Sequence, residues 1–362
     1  ISFRTTVPCD ISSRLTILNM GSLHAVNSNS GHFREADLLK SQEPNQGKKR
    51  DGVKKIEVIP YNLPRNGAML KPRTRGDTIP SDQCRFSWME MHLFDSHCHL
   101  DDPSYRDDLE GVFERARTAG VVGMMTIGVT LETSCKAVDL AKARPGVWAS
   151  VGVHPHDAQE CSERVLEALT GLAGDPAVRA WGEIGLDFNR MYSPQDVQEK
   201  WFVQQLEAAS VTGLPLIFHE RDSNGRFLEL VRTCPPPAGG AVVHCFSGSR
   251  SELVSYLDLG FYIGITGILT LKERGEPLRR LAAQIPPDQL LVETDAPYLT
   301  PEPERRRHRR NEPAFVRSVL LKLAEVRGEE PLALARQVYA NTCRLYRVAD
   351  DGEDALGQRL SC

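Results

Sequence analysis

The feature of this sequence that most constrains its fold is a regular alternation, beginning near residue 92, of short apolar runs with longer helical patterns. Strands separated by helices form parallel sheets, because each helical crossover returns the chain in the same direction. Eight such units in about 200 residues predict a closed (β/α)8 TIM barrel, an α/β fold, and an open doubly wound sheet is the alternative. The eight runs are Leu93–Asp95, Val121–Ile127, Val147–Val153, Val178–Ile184, Leu214–Phe218, Ala241–His244, Phe261–Ile265 and Leu290–Glu293.

The clearest helical pattern between these runs extends from Ser193 to Thr212. Ser193 is expected to cap the helix, with Pro194 at its first position and Gly213 at its end. Two further helices are predicted after the eighth run, over about residues 312–327 and 332–345.

Residues 1–91 differ from the rest of the chain in charge and in pattern. They contain 14 Lys+Arg and 9 Asp+Glu, whereas residues 92–362 contain 30 and 39, so a basic segment precedes an acidic one. Gly, Pro, Asn and Ser interrupt residues 1–91 without a sustained period, which predicts a largely disordered tail or linker. Its run Lys48-Lys49-Arg50 is either a nuclear localisation or nucleic-acid-binding signal or, more commonly for such tails, a solvated charge run. The barrel is expected over residues 92–348, with a C-terminal tail over 349–362.

The cellular setting is constrained by what the sequence lacks. No apolar run approaches the 18 or so residues that cross a bilayer, so no membrane span is predicted. The nine cysteines form no CxxC pair, which favours a reducing compartment, the nucleus or the cytoplasm. Because the chain begins with Ile1 rather than Met, we expect it to be part of a longer protein. No secretory signal pattern opens it.

Most of the predicted strands end in side chains that bind metal ions or protons. In a barrel the carboxyl ends of all strands converge on one mouth, where barrel active sites are built. Six of the ten histidines lie at these ends. The endings are Asp95-Ser96-His97-Cys98-His99, His154-Pro155-His156, Glu183-Ile184-Gly185-Leu186-Asp187, His219-Glu220-Arg221-Asp222, His244-Cys245-Phe246-Ser247-Gly248 and Glu293-Thr294-Asp295-Ala296-Pro297.

A metal centre is the chemistry that this set of endings favours. His97 and His99 are two residues apart, so on a strand they project to the same side and can bind one cation. Imidazole binds Zn, Mn or Fe well, while carboxylates suit harder ions such as Mg. Six candidate donors are too many for one tetrahedral site and are about right for two divalent ions that share a carboxylate. These candidate ligands are His97, His99, Glu183, His219, His244 and Asp295.

Other polar residues near the predicted mouth are candidates for contact with a substrate. His154 lies directly at a strand end, whereas His156 is expected to be a turn residue. Arg307 and Arg309 belong to a basic run after the eighth strand that is either a phosphate-binding loop or a solvated one. The remaining candidates are Arg221 and Ser247, the latter because backbone N–H groups at a helix entrance bind phosphate.

The strand endings resemble the successive motifs of the TatD-type metal-dependent deoxyribonucleases. The match covers about residues 92–348, in order, and the basic extension before it is similar to that of a eukaryotic paralogue of the family. One departure is that some close bacterial members lack the HxH pair of the first strand. The matching segments are Leu93–Asp101, Gly182–Asp187, His219–Asp222, His244–Gly248, Glu293–Leu299 and Arg310–Pro313.

This resemblance implies a barrel of the amidohydrolase-like group, two divalent ions, and hydrolysis of phosphodiester bonds in DNA or RNA with 3′ exonuclease character. It implies that Glu183 and Asp295 serve catalysis as well as metal binding. It further implies one ion held by His97, His99, Glu183 and Asp295, and a second held by Glu183, His219 and His244.

Two other function classes remain open from the sequence. An amidohydrolase that acts on a small amide or lactone has a similar barrel, but many of these bridge their metals with a carbamylated lysine where this chain has Glu183. A metal-free adaptor that uses the barrel as a scaffold would be expected to have lost ligands, and all six candidates are present.

Overall fold

The computed structural model describes residues 91–236 and 239–349, and the predicted basic tail, its Lys48-Lys49-Arg50 run and the end of the chain lie outside them. The described residues contain eight strands and nine α-helices. The strands are β1 Leu93–Cys98, β2 Val121–Thr126, β3 Val147–Val151, β4 Val178–Asp187, β5 Leu216–Arg221, β6 Ala241–Val243, β7 Tyr262–Ile265 and β8 Leu290–Val292. The helices are α1 Leu109–Thr118, α2 Leu131–Ala143, α3 Glu163–Leu172, α4 Gln195–Thr212, α5 Arg226–Thr233, α6 Arg250–Asp258, α7 Glu276–Ala282, α8 Val316–Arg327 and α9 Pro331–Tyr346.

The strands form one parallel sheet in the order β1 to β8. A parallel bridge between Cys98 and Ala296 joins its two ends, and His99 N–H donates to the Ala296 carbonyl at 2.7 Å. The predicted TIM barrel is therefore confirmed.

Two apolar clusters stabilise this arrangement, because parallel strands in a barrel are covered on both faces. The larger cluster packs the strands against the surrounding helices, with Trp181 and Phe218 fully buried in it. The smaller one joins alternate strand residues such as Phe94 and Leu291 to Tyr346 at the end of α9. The Tyr346 hydroxyl donates to the Ser96 carbonyl at 3.0 Å, so the end of α9 is tied to the strand that carries His97.

One predicted helix start is wrong. Pro194 is the residue before α4, and Ser193 does not cap it. The Ser193 hydroxyl instead donates to the His156 carbonyl at 2.8 Å and accepts the Gln159 N–H at 3.1 Å. The predicted end is confirmed, since Gly213 adopts the left-handed conformation (φ 67°) that favours glycine. Among the described residues, none of the helices combines the length and apolar character needed to cross a membrane.

Candidate metal centre

The HxH pair lies at the carboxyl end of β1, and both imidazoles face the same two carboxylates. His97 is fully buried, and its Nε2 lies 3.3 Å from Glu183 Oε2. His99 Nε2 lies 3.3 Å from Asp295 Oδ1 and 4.0 Å from Glu183 Oε2. We call His97, His99, Asp295 and the Oε2 atom of Glu183 the first half of the centre.

The other carboxylate oxygen of Glu183 faces a different set of rings. Glu183 Oε1 lies 2.7 Å from His219 Nδ1 and 3.7 Å from His244 Nε2. We call His219, His244 and this oxygen the second half. Because the two oxygens of one buried side chain are divided between the halves, Glu183 stands between them.

Two glycines allow β4 to bring Glu183 this close to β5. Gly182 and Gly185 flank Glu183-Ile184 and have φ angles of 127° and 147°, which side-chain-bearing residues rarely adopt. A Cβ on Gly185 would lie 1.9 Å from the His219 carbonyl oxygen. The close approach of the two backbones therefore places Glu183 beside His219.

Asp295 reaches the first half from a constrained backbone. Its φ of 57° is in the left-handed region, an unfavourable conformation for a non-glycine residue that is found mainly at functional sites. The Asp295 N–H donates to the His97 carbonyl at 2.9 Å, and the Asp295 carbonyl accepts the Tyr298 N–H at 2.8 Å. These bonds hold the carboxylate next to β1.

Two buried carboxylates orient the histidines of the second half. Asp187 Oδ2 lies 3.2 Å from His219 Nε2, and Glu293 Oε1 lies 2.8 Å from His244 Nδ1. Asp187 hydrogen-bonds the outer nitrogen of His219, whereas Glu293 lies beside that of His244 as an ion pair without a hydrogen bond. In both rings the other nitrogen is directed at the centre. This is the arrangement by which a carboxylate fixes the tautomer of a metal-binding histidine.

Neither of these orienting roles was predicted from the sequence. Asp187 and Glu293 both follow buried strand runs, and a carboxylate at a strand end is the only sequence signal that they offer. Their fixation by backbone and side-chain donors depends on loops that meet in three dimensions. Cys245 N–H donates to Glu293 at 2.7 Å, and Arg190 N–H donates to Asp187 at 2.7 Å.

His154 also lies in the cluster, as a hydrogen-bond donor. Its Nδ1 accepts the His156 N–H at 3.0 Å, and burial lowers the pKa of its ring to about 4, so the neutral ring carries its proton on Nε2. That atom lies 3.2 Å from His219 Nδ1 and 3.4 Å from Glu183 Oε1. His156 occupies the predicted turn, a 3-10 segment over Pro155–Glu160, and its Nε2 also lies 2.8 Å from Asp187 Oδ2.

The histidines of the centre differ in protonation. Burial opposes it, but the hydrogen bond to Asp295 raises the pKa of His99. Burial and the neighbouring His244 lower the pKa of His97. Burial acts in the same direction on the second half, but the hydrogen bonds to Asp187 and Glu183 raise the pKa of His219 to about 9. The charge of Glu293 raises the pKa of His244 to about 10. Burial alone would raise the pKa of Glu183, yet the surrounding histidines hold it well below its usual value.

The donor set fits divalent ions. Among the described residues, four overlapping groups place one donor atom per residue within 4.8 Å of each other: His97, His99 and Glu183; His97, His244 and Asp295; Glu183, His219 and His244; and His154, His156 and His219. Within the described residues, neither ring nitrogen of buried His97 makes a hydrogen bond. A buried polar atom without a partner is costly, and a metal ion would supply the partner.

Comparison with known proteins decides the family. The family model for TatD related DNase matches residues 94–347. The chain belongs to this family. It is 44% identical over 262 residues to the 3′-5′ ssDNA/RNA exonuclease TatD of Klebsiella pneumoniae, a match that covers 72% of this chain and all of that protein. It is 44% identical over 259 residues to the enzyme of the same name from Erwinia billingiae, covering 71% of this chain and 99% of that one.

Solved structures agree with this assignment. The YjjV protein, a TatD homolog from Escherichia coli K12, superposes with a TM-score of 0.67 at 30% identity, covering 72% of this chain and all of that one. A hydrolase of the TatD family from Entamoeba histolytica, at 23% identity, shares the fold with a TM-score of 0.64, covering 70% of this chain and 98% of that one. The predicted resemblance is confirmed, and the TatD-type barrel is a hydrolase of phosphodiester bonds.

The remaining predicted contact residues of this TatD-type barrel lie around the mouth. Arg221 is half-buried at the end of β5, and Arg307 and Arg309 are exposed after β8. Ser247 is exposed before α6, where Ser249 and Glu252 form a capping box that already binds two N–H groups of the helix start. Substrate contact by these residues remains a prediction.

Arg310, in the same basic run, has a structural role instead. Its guanidinium donates to the Ser104 carbonyl at 2.6 Å and to Glu312 at 2.8 Å, and it lies 4.7 Å from the ring centre of Tyr105. These contacts tie the TatD-type Arg310–Pro313 motif to the segment before α1.

Proposed function

We propose that this protein is a divalent-metal-dependent exonuclease that removes nucleotides from the 3′ end of single-stranded DNA or RNA. The observation that carries the proposal is the buried Glu183 carboxylate, whose Oε2 faces His97 and whose Oε1 faces His219. The names of the relatives, 3′-5′ ssDNA/RNA exonucleases, support the polarity and the single-stranded substrate.

In this proposal two ions, Mg²⁺, Mn²⁺ or Zn²⁺, occupy the two halves of the centre. His97, His99 and Asp295 would hold one ion, His219 and His244 would hold the other, and Glu183 would serve both. Such ions, when bound, generate a hydroxide nucleophile at neutral pH and neutralise the negative charge of the phosphodiester. The support is the charge and softness of the donors, since imidazole and carboxylate together suit this group of metals.

The chain's own groups then position the substrate and move protons. Asp295, 14% exposed at its side chain, is the carboxylate best placed to receive the proton of the attacking water, because it lies at the open side of the first half. His154 Nε2–H, which points at the centre, is a donor for a non-bridging phosphate oxygen. Arg221, at the mouth, supplies positive charge for the rest of the phosphate.

Oligonucleotides labelled at either end test the activity. We expect metal-dependent shortening from the 3′ end of a single-stranded 5′-labelled DNA or RNA, no shortening in EDTA, and much slower attack on a blunt duplex. The Asp295→Asn variant controls for contaminating nucleases. Internal cleavage, shortening from the 5′ end, or equal activity in the Asp295→Asn variant would contradict the proposal.

Arg307 and Arg309 are proposed to bind substrate phosphates outside the centre. Each phosphate contact on a single strand contributes about 0.7 to the slope of log affinity against log salt concentration. Replacing both residues by Gln should therefore lower the slope by about 1.4. The matched control is Arg310→Gln, whose guanidinium is held by Ser104 and Glu312 and whose loss should affect stability rather than this slope.

We also propose that residues 92–348 form the complete catalytic unit and that residues 1–91 direct the nuclease to a nuclear or cytoplasmic site. Every proposed ligand lies after residue 96, which supports this division. A truncated protein that begins at Met91 should fold and turn over a short oligonucleotide at the rate of the full chain. An insoluble or inactive truncated protein, beside an active full chain, would place the boundary elsewhere.

A further inference from the structure

A groove of about 520 Å³ lies beside the first half of the centre. It is formed by the segment after β7 and by the segment after β8. Its volume is within the range of about 300–1,000 Å³ that is usual for small-molecule sites. We call it the Tyr298 groove, and its principal lining residues are Leu271, Arg274, Tyr298, Thr300, Arg305 and Arg309.

Tyr298 connects this groove to the metal centre. Its ring makes a T-shaped contact with His99, with 5.8 Å between the ring centres, and its N–H is bonded to the carbonyl of Asp295. The residue is nevertheless 55% exposed, which is unusual for a large aromatic side chain that contacts a buried site. A flat ligand that extends out of the first half would meet this ring first.

The charge of the groove favours an anion. Three arginines line it, and no carboxylate does. Within the described residues, no ion pair engages Arg274 or Arg309, and the carboxylate nearest Arg305 is Glu302 at 3.7 Å. The guanidinium groups are therefore available to phosphate, which they bind in bidentate fashion.

A second groove of similar size differs from the Tyr298 groove in charge. It has a volume of about 560 Å³ and lies at the amino ends of β7 and β8. Its lining includes Tyr262 and Arg344, but also Asp258 and Asp288. With two carboxylates against one guanidinium, this groove repels the anion that the Tyr298 groove attracts.

We propose that the Tyr298 groove is a nucleotide-binding subsite, which holds the nucleotide adjoining the scissile phosphate of a single-stranded substrate. The base stacks on Tyr298, and the arginines bind the next phosphate of the backbone. An aromatic platform beside a cationic groove is how proteins bind single strands without reading their sequence. This inference rests on the proposed nuclease function and adds to it the place and the recognition chemistry of the substrate beyond the reacting bond.

Two probes of different length test the subsite. A fluorescent single-stranded octathymidylate spans both the centre and the groove, whereas bis(4-nitrophenyl) phosphate is a diester that carries no second nucleotide. In Tyr298→Ala, kcat/KM for the octamer should fall between about fivefold and about a hundredfold, since one base–aromatic stack is lost. Hydrolysis of bis(4-nitrophenyl) phosphate and the bound metal content should stay at the wild-type level.

Companion variants separate stacking from charge. Tyr298→Phe keeps the ring and should retain the wild-type kcat/KM for the octamer. Arg274→Gln should weaken octamer binding and lower its salt slope by about 0.7. Arg344→Gln, in the groove at the amino ends of the strands, removes the same charge and should change neither substrate.

The outcomes distinguish this inference from the proposed function. Equal losses on both substrates in Tyr298→Ala would overturn the subsite and leave Tyr298 as a support for His99. An unchanged octamer kcat/KM in that variant would also overturn it. If the wild type does not cleave the octamer at all, the proposed function fails, and fluorescence anisotropy of the octamer then decides the subsite: tighter binding to the wild type than to Tyr298→Ala supports it, and equal binding refutes it.

Discussion

The two halves of the metal centre hold their histidines in different ways. In the second half, buried Asp187 lies 3.2 Å from the outer nitrogen of His219, and buried Glu293 lies 2.8 Å from that of His244. In the first half, within the described residues, no ion pair or hydrogen bond engages Nδ1 of His97, and the His99 ring contacts the exposed Tyr298.

This difference indicates that the histidines of the second half are already oriented for metal binding. A histidine whose far nitrogen is fixed by a carboxylate has its tautomer and ring direction set, and it loses little freedom when a metal ion binds. The first half depends more on the ion itself and on the constrained backbone of Asp295. We therefore expect the second half to bind its ion more tightly, and Glu183 to be the residue on which both halves depend.

The largest effect is expected from Glu183→Gln, which keeps the size of the side chain and removes its charge. Both halves lose their shared ligand, so nuclease activity should fall by a factor on the order of 1,000 or more. Activity across a range of Mn²⁺ concentrations, with circular dichroism to verify folding, measures this. Recovery of activity at high Mn²⁺ would show that Glu183 serves only one half.

Variants of single histidines impair one half of the centre at a time, so their metal rescue can be compared. His99→Ala removes one ligand of the first half and leaves His97 and Asp295 in place, so excess metal should restore part of its activity. His219→Ala leaves Asp187 buried without one of its partners, so metal should restore less. Metal-dependent activity curves of the two variants test this order, and equal rescue would remove the distinction between the halves.

The pH dependence of metal binding should reveal the second half. His219 and His244, with pKa values of about 9 and about 10, both hold a proton at pH 7 that an ion must displace. Affinity should therefore rise with pH between 7 and 9, by up to about a hundredfold per pH unit for two protons. Titrations of the His99→Ala variant isolate this half, and an affinity independent of pH would contradict these protonation states.

A smaller effect is expected from the orienting carboxylates. Asp187→Asn should lower the affinity of the second half for its metal ion by about 10- to 100-fold, as is usual when a partner of a metal-binding histidine is lost. Asp101→Asn is the matched control, since Asp101 is a half-buried carboxylate outside the proposed ligand set. Isothermal titration with Mn²⁺ measures both variants, and equal affinities would mean that Asp187 does not organise His219.

The sequence predicted the eight strands because parallel barrel strands are buried on both faces and therefore appear as continuous apolar runs. It could not predict that three of them extend further, β1 to Cys98, β4 to Asp187 and β5 to Arg221. Asp187 and Arg221 pair in register at the ends of β4 and β5, although polar side chains at those positions are also typical of loops. The Ser193 prediction failed because a local capping pattern carries no information about the turn at His156 that binds the same hydroxyl.

The sequence likewise predicted some features of the candidate site and not others. The two-residue spacing of His97 and His99 sufficed to predict that both rings face one way. The orienting function of Asp187 and Glu293 could not be predicted, because the sequence does not distinguish a carboxylate that orients a histidine from one that is exposed to solvent. His154 shows the same limit, since its donor tautomer follows from a backbone N–H two residues away that points at its ring.

Anomalous diffraction from crystals loaded with Mn²⁺ would show directly whether Glu183 joins two metal sites. We expect two anomalous peaks, one on each side of the Glu183 carboxylate, the first in contact with His97, His99 and Asp295 and the second with His219 and His244. A single peak, or two peaks of which only one contacts Glu183, would contradict this expectation.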